Sequence, residues 1–165
     1  MKKIASLLIL LAAFVSCESD VKFNNPSFQG QKDNFLWRAD HTETTKTTIG
    51  DKEYLTINAF RGQEQLSLVI PAPTTAIVKT NAQTYTLGVD DKITATYEHT
   101  EEGLTLVYKT GKGLGNGQIV INEYDPASKK ISGSYRFNAI YQGDNPSVPV
   151  NLNFQDGFIY QIQVQ

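Results

Sequence analysis

The chain has 165 residues, of which 40% are hydrophobic and 19% are charged, and its formal net charge is −2. A weakly acidic chain without a run of basic residues lacks the positive surface that neutralises phosphates, so we expect no nucleic-acid partner. One cysteine excludes an intrachain disulfide, and the length suits one domain with a hydrophobic core.

Residues 1–16 have the pattern of a bacterial lipoprotein signal peptide. Lys2 and Lys3 supply positive charge, and an apolar run over residues 4–14 leads to Cys17. This run is shorter than the roughly 20 residues of a membrane-spanning helix and has the length of a signal-peptide core. We therefore expect cleavage before Cys17 and attachment of acyl chains, such as palmitate, to that residue.

The remainder divides into a polar tether, residues 17–25, and a single β domain, residues 26–165. In the domain, apolar and polar residues alternate over short segments, as in strands with one buried face. The segments with this alternation are Trp37 to His41, Leu55 to Ala59, Leu66 to Ile70, Ile93 to Tyr97, Leu104 to Tyr108, Ile119 to Ile121, Ile131 to Ala139, Val148 to Phe154 and Phe158 to Val164. No segment has a helical period.

Turn-forming residues separate these segments. Gly50-Asp51, Gly62 and Asp125 to Lys129 predict reversals between neighbouring strands. Asp156-Gly157 predicts a two-residue hairpin, because this pair readily takes positive φ angles. Pro71-Ala72-Pro73 interrupts strand pairing and predicts a crossing from one half of the fold to the other. Short links predict antiparallel neighbours, and the fold class is all-β: a β-sandwich or partly open barrel of about nine or ten hairpin-connected strands.

The glycine-rich segment Gly111 to Gly117 does not fit a nucleotide-binding loop. Lys112 is followed by a glycine where a P-loop requires Ser or Thr, and no helix is expected after it. We interpret the segment as a loop with a turn at Asn116-Gly117. His41 and His99 lack metal-ligand spacing, and Ser134 follows Gly133 without a nucleophile-elbow motif. We therefore assign no catalytic or metal-ligating residue and expect no cofactor.

Acidic residues are the remaining candidates for catalysis. Asp90-Asp91, Glu101-Glu102 and Asp144 lie near predicted strand ends, where solvated turns are the ordinary interpretation. A glycosidase would need two of these carboxylates to converge across a cleft. Aromatic residues outside the apolar phase could instead form a sugar-stacking surface, and these are Tyr54, Phe60, Tyr85, Tyr124 and Tyr141.

Several short motifs carry a resemblance to a known family, namely Gly117 to Ile121, Tyr124-Asp125, Ile131 to Phe137, Gly157-Phe158 and the early segment Phe35 to Ala39. In these motifs the chain resembles a family of small β-rich lipoproteins of unknown function from Bacteroidetes-type bacteria. It implies a β-rich envelope lipoprotein and supplies no catalytic residue.

These observations together predict a non-enzymatic binding or accessory module, anchored in the outer membrane through Cys17, on its periplasmic face or at the cell surface. Its expected partners are the membrane, through lipid, and an envelope protein or glycan. One alternative is a hydrolase acting on envelope or other glycans. A further alternative is a lipocalin-like carrier, which would require a barrel with a large apolar cavity.

Overall fold

The structure is a computed structural model that describes residues 27–165. Cys17, the expected signal peptide (residues 1–16) and the expected tether (residues 17–25) lie outside the described residues. Within residues 27–165, no helix has the length and apolar character needed to cross a membrane.

Within residues 27–165, eleven antiparallel strands form one sheet that curls into a partly open barrel, so the predicted all-β class is confirmed. The strands are β1 (Ser27–Lys32), β2 (Phe35–Arg38), β3 (His41–Ile49), β4 (Lys52–Arg61), β5 (Glu64–Pro71), β6 (Gln83–Leu87), β7 (Thr94–Glu101), β8 (Leu104–Lys109), β9 (Asn116–Asp125), β10 (Lys130–Tyr141) and β11 (Asn151–Gln163). A short 3₁₀ helix, Lys79–Asn81, precedes β6.

The sheet branches at β10. Its main path runs β2-β1-β11-β10-β8-β7-β5-β4-β3. On the side away from β11, residues Lys130–Asn138 of β10 pair with β9, and the last two residues pair with β8. Strand β6 pairs with β9 and not with β5, so the crossing predicted at Pro71-Ala72-Pro73 is confirmed.

The chain itself bridges the open side of the barrel. The outermost strands of the main path, β2 and β3, are joined by only Ala39 and Asp40. The Ala39 amide donates to the carbonyl of Phe28 on β1, whereas the Asp40 amide donates to the carbonyl of Phe60 on β4. The chain therefore changes partners at this corner. Thr44 of β3, which is 2% exposed, adds a second contact across the open side of the barrel, to the C-terminal end of β11. Its hydroxyl donates to the Gln163 carbonyl (3.0 Å) and accepts from the Gln165 amide (3.1 Å).

Aromatic side chains fill the interior. Ring centroids lie 4.9–6.2 Å apart for Phe28–Tyr135, Phe28–Trp37, Trp37–Phe154 and Phe137–Phe154, and Trp37 is fully buried. Burial of each large apolar side chain contributes about 1.5–3 kcal/mol.

The hairpin predicted at Asp156-Gly157 is wrong. Strand β11 runs through both residues, with Gly157 opposite Tyr135 and Phe154 opposite Phe137. Gln155 and Asp156 therefore face Arg136 together, which is a β-bulge. Asp156 does have a positive φ of 49°. The positive φ predicted for the Asp-Gly pair is therefore found at Asp156 and not at Gly157, and the bulge uses it without reversing the chain.

The reversals predicted at Gly50-Asp51, Gly62 and Asp125 to Lys129 are confirmed. Gly50-Asp51 links β3 to β4, and Gly62 lies in the link from β4 to β5. The β9–β10 hairpin is held by Asp125, whose carboxylate accepts bonds from the Ala127 amide (2.9 Å) and the Ser128 hydroxyl (2.6 Å). The strand count exceeds the prediction for three reasons. The segment from Trp37 to His41 is divided between β2 and β3, and β1 and β6 correspond to no predicted segment, whereas Val148 to Phe154 and Phe158 to Val164 join in the single strand β11.

Candidate functional site: a polar groove across β9, β10 and β11

A groove of about 500 Å³ crosses the outer face of β9, β10 and β11. Alternation places the side chains of Arg136 and Asn138 on this face, opposite the buried rings of Tyr135 and Phe137. The groove is lined by polar side chains from all three strands, namely Asn116, Gln118, Arg136, Asn138, Asn153, Gln155 and Asp156. We refer to this set as the outer groove.

Glycines on the inner face allow the three strands to approach closely. A Cβ at Gly117 would lie 2.3 Å from the Arg136 carbonyl oxygen, and one at Gly157 would lie 2.4 Å from the Tyr135 carbonyl oxygen. The Tyr135 ring covers Gly157, and its hydroxyl donates to the Gln29 carbonyl of β1 (3.1 Å). Burial raises the pKa of the Tyr135 hydroxyl well above its ordinary value. The floor of the groove is thus braced from within by Tyr135.

Three asparagines form a ladder along one row of the groove. Asn138 Nδ2 donates to Asn116 Oδ1 (2.8 Å), and Asn153 Nδ2 donates to Asn138 Oδ1 (2.6 Å). The backbone amide of Asn153 also donates to the Asp33 carboxylate (2.9 Å), which ties the row to the β1–β2 turn. These bonds hold the amide groups in fixed orientations before any ligand arrives.

The next row of side chains in the outer groove contains its two charged residues, Arg136 and Asp156. Arg136 Nη2 makes a long contact of 3.5 Å to Gln118 Oε1. Asp156 accepts a hydrogen bond from Gln31 Nε2 (3.1 Å). Among the described residues, neither side chain has an ion-pair partner within 4.0 Å. One cation and one anion therefore stand in the groove with hydrogen-bonding capacity left for a ligand.

A second polar cluster lies at one end of the barrel, around Glu64. The Glu64 carboxylate accepts bonds from Trp37 Nε1 (2.5 Å) and the Tyr97 hydroxyl (2.6 Å) and forms an ion pair with Lys32. Lys32 also donates to the Tyr97 hydroxyl (2.7 Å), and Arg61 lies 3.9 Å from the carboxylate. Strands β1, β2, β5 and β7 meet at this point.

The partners of Glu64 decide its ionisation. Burial by itself raises the pKa of the Glu64 carboxyl, but hydrogen bonds from Lys32, Tyr97 and Trp37 and the charge of Lys32 outweigh it and hold the pKa below the ordinary value. Burial and the bond to Glu64 raise the pKa of the Tyr97 hydroxyl. The carboxylate is ionised and fully engaged at neutral pH, so it serves the structure and is not a free base.

The acidic residues at the two ends of β7 are not brought together. Asp90 Oδ1 accepts from the Lys92 amide (2.6 Å), and Asp91 Oδ1 accepts from the Lys112 amide (2.7 Å), in the loops before β7 and after β8. Glu101 lies at the opposite end of β7, roughly 23 Å away at about 3.3 Å per residue. Asp144 is exposed in the link between β10 and β11.

Glu101, Glu102 and His99 do share a separate cleft of about 380 Å³ on the β7–β8 hairpin. His41 is elsewhere, stacked on Phe60 with ring centroids 4.6 Å apart. Within residues 27–165, no three His, Cys, Asp or Glu side chains are placed to hold a metal ion.

The glycine-rich segment forms a turn, but not where we predicted it. Gly111 and Leu114 exchange backbone hydrogen bonds of 2.9 and 2.8 Å, so the reversal lies at Lys112-Gly113. Asn116 and Gly117 already belong to β9, so the prediction of a turn there is wrong. A strand follows the segment, and no helix N-terminus is present beside it to bind phosphate.

The five aromatic residues proposed as a sugar-stacking surface are mostly turned to the core. Tyr54 and Tyr124 are buried, Tyr85 and Tyr141 pack against the core, and Phe60 is half-buried and stacked on His41. Ser134 lies on the polar face of β10 as alternation predicted, at the margin of the outer groove.

Sequence reasoning missed the outer groove and Glu64. Alternation correctly placed Arg136 and Asn138 on the polar face of β10, but it carries no information on which residues of β9 and β11 stand beside them.

Comparison with known proteins gives a family without an assigned activity. A family model described as a domain of unknown function (DUF6252) matches residues 24–163. Neither curated proteins nor solved structures yielded a significant match. The match spans all of the described strands, and the expected resemblance to a domain of unknown function is confirmed at that level. The chain therefore belongs to the DUF6252 family, a domain of unknown function.

Proposed function

We propose that this chain is a lipid-anchored, non-enzymatic binding protein of the bacterial cell envelope, which holds a polar partner in the outer groove. Cys17 carries the acyl chains, residues 17–25 form the tether, and the outer membrane is the expected site. The lipoprotein pattern of residues 1–16 supports the anchor. Several acyl chains hold a protein stably where one does not.

The observation that carries the binding role is the outer groove itself. Its side chains come from regular strands and are oriented by mutual hydrogen bonds at 2.6 and 2.8 Å. Binding sites on rigid elements lose less conformational entropy when a ligand arrives. Its volume of about 500 Å³ lies within the range of ordinary ligand sites, about 300–1,000 Å³.

The same groove favours binding over hydrolysis. Glycoside hydrolysis ordinarily uses two carboxyl groups on either side of the scissile bond. Asp156 is the one carboxylate among the groove-lining residues.

Binding is tested by retention of solubilised envelope material on the immobilised domain. We expect the wild-type domain to retain an envelope component and Asn138→Ala, in the centre of the asparagine ladder, to retain much less. Asn58→Ala is the matched control, because Asn58 is also half-buried and belongs to a cross-strand polar network with Ser67 (2.7 Å) on β4 and β5. Equal retention by wild type and Asn138→Ala would contradict the proposed binding role.

The anchor is tested separately in cells. Metabolic labelling with palmitate should mark the wild-type chain and not Cys17→Ser, and the variant should leave the membrane fraction. A wild-type chain without label, or a labelled Cys17→Ser chain, would exclude lipidation at this residue.

A further inference from the structure

We propose that the ligand of the outer groove is an uncharged oligosaccharide. This inference rests on the proposed binding function and adds the chemical class of the ligand. It follows from the hydrogen-bonding capacity of the asparagine ladder, the charge balance of the groove and its open shape.

The asparagine ladder retains as many unused hydrogen-bond donors as unused acceptor lone pairs. A side-chain amide has two N–H donors and an oxygen with two lone pairs. Within residues 27–165, the two ladder bonds use one donor each of Asn138 and Asn153 and one lone pair each of Asn116 and Asn138. Four donors and four lone pairs are left on the three side chains. A sugar hydroxyl both donates and accepts, so it can use both kinds of group.

The charges of the groove oppose an ionic ligand. Arg136 contributes one positive charge and Asp156 contributes one negative charge, and the other lining side chains are neutral amides or apolar. A phosphate, sulfate or carboxylate would gain from Arg136 but would be repelled by Asp156. The bulge causes this pairing of opposite charges. It places both Gln155 and Asp156 opposite Arg136, where a regular strand would present only one residue. A neutral polyol can instead donate to Asp156 and accept from Arg136.

The dimensions suit several sugar units. Three neighbouring strands at about 4.8 Å spacing separate Asn116 from Asn153 by roughly 10 Å. The groove is open along the sheet, and a smaller hollow of about 180 Å³ continues it beside Ser134 and Gly157. A chain of sugars can therefore lie across the ladder and extend past it.

The test uses residues 17–165 and calorimetry with neutral oligosaccharides and with uronic acid or sulfated oligosaccharides of the same length. We expect the wild type to bind at least one neutral series and to bind the acidic ones at least ten-fold more weakly. Asn138→Ala should weaken neutral binding about ten-fold, and Asn58→Ala should leave it unchanged. Asp156→Asn should improve acidic binding relative to neutral binding, since it removes the repelling charge without changing the size of the side chain.

The possible failures are distinguishable. A preference of the wild type for acidic oligosaccharides that Asn138→Ala abolishes would overturn the inference and leave the binding function intact. If the domain retains an envelope protein, if this retention depends on Asn138, and if no oligosaccharide binds, the inference is likewise overturned and the binding function is left intact. If no oligosaccharide binds and envelope retention is insensitive to Asn138, both proposals are refuted. The urea midpoint of each variant establishes that it is folded.

Discussion

Substitution of Gly157 by alanine tests how the floor of the outer groove is built. Gly157 has no positive φ, so its backbone conformation is open to other residues. The obstacle is space: a Cβ would lie 2.4 Å from the Tyr135 carbonyl oxygen and 2.5 Å from two atoms of the Tyr135 ring. Ordinary contacts of this kind are 3.4–4 Å. The strand or the ring must therefore move by about an ångström.

The energetic cost has two parts. Overpacking in a dense core costs about 1–3 kcal/mol. Displacement of Tyr135 also breaks its hydrogen bond to the Gln29 carbonyl, and a buried hydroxyl without a partner costs about 1–3 kcal/mol. We expect Gly157→Ala to lower the free energy of unfolding by about 4 kcal/mol. With an m value of about 2 kcal/mol/M, the urea midpoint should fall by about 2 M.

Equilibrium urea unfolding followed by circular dichroism measures this loss. Gly103→Ala is the control: Gly103 has a φ of +82° but nothing within 4 Å of its Cβ position, so the variant should lose only the backbone cost of about 1–2 kcal/mol. Tyr135→Phe should lose about 1 kcal/mol, the value of one hydrogen bond. A loss for Gly157→Ala no larger than that for Gly103→Ala would refute the close approach of Tyr135 to β11.

Two further predictions concern the polar contacts that hold the barrel together. Because the pKa of Glu64 is lowered in the folded state, its contribution to stability is fully present above the ordinary value of 4.5 and is lost as pH falls through the folded pKa. Glu64→Gln should lower the free energy of unfolding by about 2–4 kcal/mol at pH 7. Between pH 7 and pH 3, the free energy of unfolding should then fall less for this variant than for the wild type. The same pH profile in both proteins would contradict this. Thr44→Val keeps the side-chain shape and removes both bonds across the open side of the barrel, so we expect a loss of about 1–2 kcal/mol and faster hydrogen exchange at the Gln165 amide. If the Gln165 amide of Thr44→Val exchanges at the wild-type rate, the contact of Thr44 with the end of β11 does not hold this side of the barrel together.

The strands could be predicted because one buried face leaves a period of two in the sequence. Leu55, Ile57 and Ala59 are fully buried as alternation indicated, as are Leu66, Leu68 and Ile70. The pattern fails where it carries no apolar signal: β6 contains Gln83, Thr84 and Thr86, and its place beside β9 depends on tertiary pairing.

The groove could not be predicted because register between distant strands is not a local property. Asn116, Asn138 and Asn153 are separated by 15 or more residues, and any one of them is an ordinary polar residue on a wet strand face. The sequence predicts a turn at Asp156 because tight turns and bulges both use a backbone conformation with positive φ. Glu64 was overlooked for a similar reason, since its partners Lys32 and Trp37 lie 32 and 27 residues earlier in the chain.

The position of β11 in the sheet has a consequence for the timing of folding. This strand, formed by Asn151–Gln163, lies between β1 and β10, so the first described strand has no inner neighbour until these residues are available. Ser27 pairs with Tyr160, a loop closure over most of the domain, and such distant pairings form slowly. A chain still leaving the ribosome therefore lacks the strand that completes its core. Delayed folding of this kind keeps a polypeptide unfolded for longer, as the lipoprotein export that we propose would require.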